Sequence, residues 1–477
     1  MENEEIKEEK REEADIGEEL QSEEEKEAEL RKEQTKAELM AQLAAMKKPM
    51  EKMYWTFLVV ILLYDVLSNT VVISGVKSFL YGLMPGLEYE LQVLIVESLF
   101  GLRYLIVIPA IYTILMKVKD NNTRYILAAL LFVGWFYALY WRDIGDTVVF
   151  EVLLMMVASY GKDFKKIGRY SLVIATGVLI VAFFLSLVGV LPDSIMMRGD
   201  LARHSFGTYH CTDLAAHWAF IILTYVFLAD GIMKWPAYLI MLILTVLNFL
   251  LVDGRTAYLC VILAAGGSLI HTFVKKKGIA VPEKLLKAWQ YLLLSVYVLL
   301  AALYMLMNFT YDPDPNAFYN RGLLDHLGTR LNVSSNVTRI FPFSWFGKYW
   351  IQIGDGMGAA EKTGMYTFLD DSYIRVYAMY GIVAFVLILL LLTAIQWKLM
   401  KKGQTFRMFI MAIVALSCFF EHHMLELGCN IFLLVLFAKL PETEEGSVES
   451  TDKEEKRLAE DLDTGEAREQ EPVAAKA

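Results

Sequence analysis

The sequence predicts an all-α integral membrane protein with about twelve transmembrane helices and one long extracytoplasmic loop between helices 9 and 10. Three observations support this class. The chain is 56% hydrophobic over 477 residues, which is too apolar for a soluble protein of this size. Apolar runs long enough to cross a bilayer recur along it. The long polar segment 309–371, rich in aromatic and charged residues, interrupts this apolar body and indicates a functional loop.

Charged tails flank the apolar body. Residues 1–40 contain 17 acidic and 7 basic residues, and residues 441–477 contain 13 and 5. Both stretches are poor in apolar residues, which is typical of solvated helix or disorder rather than of a catalytic domain. We therefore divide the chain into an N-terminal tail (1–53), a membrane domain (54–440) and a C-terminal tail (441–477).

The helices are predicted from the positions of the apolar runs. In chain order these are 54–74, 92–116, 124–141, 146–160, 168–191, 213–229, 235–252, 256–274, 287–308, 372–396, 405–421 and 425–439.

The orientation is predicted from four connecting loops rich in Lys and Arg, at 116–124, 161–169, 275–284 and 397–407. Cytoplasmic loops carry an excess of these residues. This places both tails in the cytoplasm and the 309–371 loop outside.

Several arginines fall in the predicted outward segments, where the same bias disfavours them. They are Arg198, Arg203, Arg255, Arg321, Arg330 and Arg339. The planar guanidinium matches phosphate, so we interpret some of them as anion ligands. The alternative is that each contacts lipid headgroups or pairs with a nearby acid.

Ionisable residues also occur inside the predicted helices. Glu97, Arg103, Glu151 and His217 lie towards the outward ends, and Asp65 lies near the middle of its helix. Charges at this depth are costly, so they predict a polar cavity open to the outside. In the alternative they pair with one another and fix helix packing.

Three short motifs occur in a characteristic order along the chain. The first contains Arg203, Phe206, Gly207 and His210; the second contains Gly254 and Arg255; the third contains Asp371, Tyr373 and Gly381. Their order resembles the Wzy-like polysaccharide polymerase and O-antigen ligase superfamily of bacterial membrane glycosyltransferases. Two departures from the family pattern stand out. A His-Pro-Asn becomes His210-Cys211-Thr212, and an Asp-Asn becomes Asp370-Asp371.

The resemblance implies polymerisation of polyprenyl-diphosphate-linked oligosaccharides into capsular or exopolysaccharide, at the outer face of a bacterial plasma membrane. The implied partners are these lipid-linked substrates, membrane lipids and a chain-length regulator or other polysaccharide-assembly protein, with no nucleic acid. The diphosphate leaves as an anion and needs positive charge rather than a proton donor. Arg203 and Arg255 supply this in our interpretation, so we expect no metal and no cofactor.

The acceptor hydroxyl needs a base, for which histidine is the ordinary choice. We rank His326 first, because ligase members of the family carry their base in this loop. His422 and His423 beside Glu421 come second, and a metal site formed by His210, His217 and Asp213 comes last. The predicted substrate-binding residues are Arg321, Arg330, His210, Asp371, Tyr373, Glu421 and His422.

Two other functions stay open. An O-antigen-ligase-like enzyme would use the same donor but transfer the glycan to a lipid or protein acceptor. A flippase for lipid-linked sugars is a second alternative, although the sequence lacks a clear internal repeat. The four cysteines are not arranged in CxxC spacing, so they predict neither a zinc site nor a disulfide framework.

Overall fold

The computed structural model describes residues 30–32, 34–141, 146–314, 325–342, 344–349, 351–354, 364 and 366–440. This part of the chain is almost entirely helical, with one two-stranded sheet. The α-helices are α1 (Lys47–Ser68), α2 (Val71–Gly82), α3 (Tyr89–Gly101), α4 (Val107–Met116), α5 (Asn121–Tyr140), α6 (Val148–Ala158), α7 (Phe164–Leu187), α8 (Cys211–Leu228), α9 (Trp235–Val252), α10 (Arg255–Lys277), α11 (Glu283–Phe309), α12 (Asp325–Ile340), α13 (Ser372–Lys401) and α14 (Thr405–Cys418).

Among the described residues, eight helical segments are long and apolar enough to cross a membrane. They are α5, α7, α8, α9, α10, α11, α13 and the segment Tyr89–Met116, in which a 3₁₀ turn joins α3 to α4. Three further apolar helices, α2, α6 and α14, are shorter. The fold is therefore that of an all-α membrane protein, and twelve crossings remain a prediction.

The first predicted helix, 54–74, is divided in the structure. Helix α1 ends at Ser68, and α2 begins at Val71, after two intervening residues. Thr70 accounts for the break, because its hydroxyl accepts a hydrogen bond from the Val72 N–H and caps α2. The apolar run alone did not reveal this cap.

The last predicted helix, 425–439, is likewise not a continuous α-helix. The chain forms short 3₁₀ segments at His423–Leu425 and Ile431–Leu436. Gly428 packs closely on α1, since an added Cβ would lie 3.1 Å from the Asp65 Cβ. At the far end, the Lys439 N–H donates to the Lys162 carbonyl at 2.6 Å, beside one of the basic loops. The chain thus runs through the bundle from one end to the other in 3₁₀ turns and extended stretches, which rise further per residue than an α-helix.

Some helices are buried in the centre of the bundle, and others expose apolar side chains on its outside. Helix α6 is buried on all sides, with Leu153, Leu154 and Met155 fully inaccessible. The outer helices expose large apolar side chains such as Val173 on α7 and Ile270 on α10, at 72% and 67% exposure. Such a surface fits lipid contact rather than water.

A β-hairpin covers one end of the bundle. Strands β1 (Ile195–Arg198) and β2 (Leu201–His204) pair antiparallel, with Arg203 opposite Met196. The Asp193 carboxylate accepts hydrogen bonds from the backbone N–H groups of Ser205 and Phe206, both at 2.9 Å. This fixes the turn that leads from β2 into α8.

The polar segment between α11 and α13 is anchored at both sides. Helix α12 packs on α11, where Asn308 Nδ2 donates to Thr338 Oγ1 at 3.1 Å. Helix α13 breaks at Gly381, whose φ is 81°. There the backbone N–H of Ile382 donates to the Ser344 carbonyl at 3.1 Å, so the loop docks against the break.

Candidate functional site

A cavity of about 1520 Å³ lies at the hairpin end of the bundle. Its walls are the hairpin, the first turns of α8 and α10, helix α12, the stretches 352–354 and 366–370, and residues 417–422. Six of the predicted site residues line it: Arg203, Arg255, Arg330, His210, Glu421 and His422. Segments far apart in the sequence therefore meet around one space.

Arg203 is the most buried of the cavity arginines. Its side chain is 6% exposed, and Nε donates to the Val252 carbonyl at 2.9 Å. Its Nη2 has no hydrogen-bond partner among the described residues. Burial lowers the pKa of Arg203 from its usual value, yet a guanidinium stays charged in proteins. A fixed positive group with an unused, buried N–H thus forms part of the cavity wall.

Arg198 and Arg255 lie beside Arg203 and share one acid. Arg198 Nη1 contacts Asp253 Oδ2 at 2.8 Å, and Arg255 Nε contacts Asp253 Oδ1 at 3.3 Å. Asp253 is 3% exposed and ends α9 in a left-handed conformation, with φ of 49°. One carboxylate therefore orients two arginines, and this side of the cavity keeps a net positive charge.

Arg330 approaches from α12. Its guanidinium lies 3.8 Å from Asp370 Oδ2 and 3.6 Å from Glu421 Oε1. Burial alone would lower the pKa of Arg330, but these two carboxylates outweigh it and the net shift is upward. Burial raises the pKa of Glu421, and the charge of Arg330 opposes that shift. The pair ties the polar segment to the chain that follows α14.

His210 caps α8 and faces the cavity. Its Nδ1 accepts a hydrogen bond from the Thr212 N–H at 3.1 Å. Burial lowers the pKa of His210 to about 4, and the nearby charge of Arg203 adds to this. The ring is therefore neutral at pH 7 and carries its proton on Nε2. This makes it a hydrogen-bond donor rather than a base.

Glu426 holds two neighbouring histidines. Its Oε2 lies 2.7 Å from His423 Nδ1, and its Oε1 lies 3.3 Å from His422 Nε2. Asp213 stands opposite, with Oδ1 4.0 Å from His423 Nε2. Glu426 was not among the predicted site residues, although it lies four and three residues after His422 and His423 in the sequence.

Asp371 and Tyr373 serve the helix bundle instead of the cavity. Asp371 caps α13 by accepting a hydrogen bond from the Ile374 N–H at 2.7 Å, and it is 1% exposed. Burial raises the pKa of Asp371 to about 7, against the effect of that backbone hydrogen bond. The fully buried Tyr373 donates its hydroxyl to the Ala415 carbonyl at 3.0 Å. Neither residue lines the cavity, so the structure does not place either one where substrate contact was predicted.

The charged residues predicted inside the helices also lie away from the cavity. Arg103 Nε donates to Glu151 Oε2 at 3.2 Å, and the Arg103 guanidinium lies 3.9 Å from the ring centroid of Tyr64. Glu97 pairs with Lys77 at 2.6 Å. These contacts correspond to the alternative in which such charges fix helix packing.

Two predicted site residues lie outside the described side chains. They are His326 and Arg321. Helix α12, which begins at Asp325, carries Arg330 into the cavity wall. The roles assigned to His326 and Arg321 stay predictions.

The chain matches no protein-family model, no curated protein and no solved structure. The cavity and its charged residues are therefore the basis for inferring a function.

Proposed function

We propose that the protein is a membrane glycosyltransferase that polymerises polyprenyl-diphosphate-linked oligosaccharides. The observation that carries this proposal is the unpartnered Nη2 of buried Arg203, in a cavity that Arg198, Arg255 and Arg330 also line. A buried donor without a partner is costly, and beside a cavity rich in arginines it supports an acceptor supplied by a bound anion. Diphosphate oxygens match several arginines at once.

The proposed reaction uses this positive charge to stabilise the leaving group. The acceptor hydroxyl attacks the anomeric carbon of the donor, a new C–O bond forms, and the bond to the diphosphate oxygen breaks. The electron pair stays on the diphosphate, whose growing negative charge Arg203 and Arg255 stabilise. The hydroxyl proton passes to a base, for which we propose His326.

The cavity has room for both substrates. Its volume of about 1520 Å³ exceeds the roughly 300–1,000 Å³ of common small-molecule sites. Neutral His210 and the carboxylates of Asp370 and Glu421 add hydrogen-bonding groups suited to sugar hydroxyls. This volume and these groups support the proposal that a sugar–diphosphate head and an acceptor sugar bind together.

A ligase that transfers the glycan once is the second candidate, because it needs the same diphosphate site. The experiment is to reconstitute the full chain with a lipid-linked repeat unit and analyse products on a gel. A ladder supports the polymerase, and a single transfer to an added acceptor supports the ligase. Movement of the substrate between leaflets without any product contradicts both and supports a flippase.

A further inference from the structure

A second cluster of ionisable side chains, one aspartate and two histidines, lies at the cavity wall apart from the arginines. Asp213 stands in the first turn of α8, and His422 and His423 follow α14. One donor atom from each residue lies within 4.8 Å of the others. Asp213 and His422 line the cavity, while His423 is 1% exposed behind them.

The orientation of His423 shows which ring nitrogen is available. Its Nδ1 lies 2.7 Å from the Glu426 carboxylate, so this nitrogen donates to Glu426 and Nε2 is the nitrogen left for a ligand. Its Nε2 is buried and has no hydrogen-bond partner among the described residues. A carboxylate that holds one imidazole nitrogen while the other presents a lone pair is the usual arrangement behind metal-binding histidines.

We propose that Asp213, His422 and His423 bind a divalent transition-metal cation of the zinc class, and that Glu426 positions the two imidazoles. Two imidazole nitrogens and one carboxylate form a donor set that zinc uses in sites with an open coordination position.

The distances suit this cation after a small adjustment. Donor atoms around a tetrahedral zinc ion are about 3.4 Å apart, from metal–ligand bonds of about 2.0–2.1 Å. His423 Nε2 and Asp213 Oδ1 are 4.0 Å apart, so rotation of the Asp213 carboxylate brings them together. Glu426 contacts both histidines and holds them in place for the cation.

The cation would add positive charge to the cavity. Asp213 and His422 line the same space as Arg203 and Arg330, so water or a phosphate oxygen from that space would complete the shell of the cation. This inference replaces the expectation of a metal-free site. It does not rest on the proposed transferase function, because the test measures binding itself.

The experiment uses the full chain, purified without a histidine tag, stripped with a chelator and titrated with Co²⁺ as a spectroscopic probe. We expect one Co²⁺ per chain with visible absorption bands, displaced by Zn²⁺, and an increase in thermal stability with added metal. Wild-type protein that binds no metal, or shows no saturable absorption, would overturn the proposal.

Variants locate the site. His423→Ala and Asp213→Asn should weaken Co²⁺ binding at least 100-fold, and Glu426→Gln should weaken it about 10–100-fold with one-to-one stoichiometry retained. His271→Ala is the matched control, because His271 stacks on Phe406 away from the cluster. Each variant must show the same helical content by circular dichroism and the same elution volume in size-exclusion chromatography as the wild-type protein. Since Glu426→Gln keeps all three ligands, it remains informative even if a ligand variant does not fold.

The outcomes separate this inference from the proposed function. One-to-one binding that these variants abolish, without any glycan transfer, would support the cation site and leave the transferase unsupported. Binding that Asp213→Asn and His423→Ala leave unchanged would place the metal elsewhere and refute the site.

Discussion

Arg203 combines two costs that a fold normally avoids, a buried charge and a buried N–H group without an acceptor. The charge of Arg198 increases this cost through repulsion, and the carboxylates of Asp253 and Glu421 offset part of it. An anionic ligand would compensate for all of these terms together. Arg203 therefore destabilises the protein when no ligand is bound, and it provides the strongest argument for a bound anion.

We predict that Arg203→Ala lowers the transfer rate about 10–100-fold, corresponding to the roughly 1.5–3 kcal/mol of a hydrogen bond to a charged group. Arg203→Lys should recover only part of the rate, since lysine keeps the charge but loses the planar pair of donors. The measurement is polymer formed per unit time at equal protein level. Arg339→Ala is the control, because this exposed arginine lies on α12 outside the cavity. Unchanged rates in Arg203→Ala would mean that the anion is bound elsewhere.

Arg330 and Glu421 provide a separate residue-level prediction. Arg330→Gln should lower the free energy of unfolding in detergent by about 1–3 kcal/mol, because buried Glu421 then loses its counter-charge. Adding Glu421→Gln to this variant should restore part of the loss, because the uncompensated charge is removed. Thermal unfolding of the two single variants and the double variant measures the coupling. Additive losses would show that the two side chains do not interact.

The sequence could predict the cavity arginines because they break a known bias, lying in segments where Lys and Arg are disfavoured. It could not predict how they are held. The Arg198–Asp253–Arg255 contacts depend on the left-handed residue that ends α9. The charges inside the helices were wrongly expected at the cavity, since sequence does not show which helix faces another.

At the scale of elements, two glycines govern how the polar segment meets α13. Gly381 has a φ of 81°, and an added Cβ would lie 2.4 Å from the Gly347 nitrogen. Gly347 has a φ of 91°, and its added Cβ would lie 1.7 Å from the Met379 carbonyl oxygen. Each glycine thus allows the backbone of the other to approach, and the loop docks where α13 opens.

We predict that Gly381→Ala and Gly347→Ala each destabilise the protein by about 3 kcal/mol or more, through backbone clash and a strained φ. Gly177→Ala in α7 is the control, since its added Cβ meets nothing within 4 Å. It should be neutral or slightly stabilising. Thermal unfolding and protease sensitivity of the 344–354 region report the effect. Wild-type stability in both variants would show that the close approach is not required.

Substitutions of Asp371 distinguish a role in capping α13 from a role in binding substrate. Asp371→Ala should cost about 1 kcal/mol of stability by removing the cap of α13, while Asp371→Asn should cost less because asparagine also caps helices. Transfer measured at equal folded protein should change little in either variant. Loss of transfer at unchanged stability would instead support the substrate-binding role predicted from sequence.

Apolar length predicted most helices, because crossing a bilayer imposes it on the sequence. The same criterion failed at 54–74 and at 425–439. At the first, the Thr70 side chain provides a local cap. At the second, the chain is surrounded by other helices, so its backbone can depart from α-helix without exposing polar groups to lipid. Helix α12 was missed because polar residues dominate it.

For the whole molecule, the cavity and the basic loops lie at opposite ends of the helices. Helix α10 begins at the cavity with Arg255 and ends with three lysines, and Lys439 pairs with the 161–164 turn at that second end. A membrane protein arranged in this way should keep the lysine-rich end in the cytoplasm. The cavity would then open on the outer face, where lipid-linked repeats would be joined in the proposed function.

Cysteine accessibility tests this orientation with little background, because Cys211, Cys260, Cys418 and Cys429 are all buried. We predict that Asn336→Cys, at an exposed position on α12, reacts with a membrane-impermeant maleimide in intact cells. Lys276→Cys, exposed at the other end of α10, should react only after lysis. Cysteine-free protein is the control for background, and full labelling of both variants after lysis is the control for reactivity. Protection of Asn336→Cys together with labelling of Lys276→Cys in intact cells would reverse the orientation and place the arginine cavity on the cytoplasmic face, where polymerisation outside the cell could not occur.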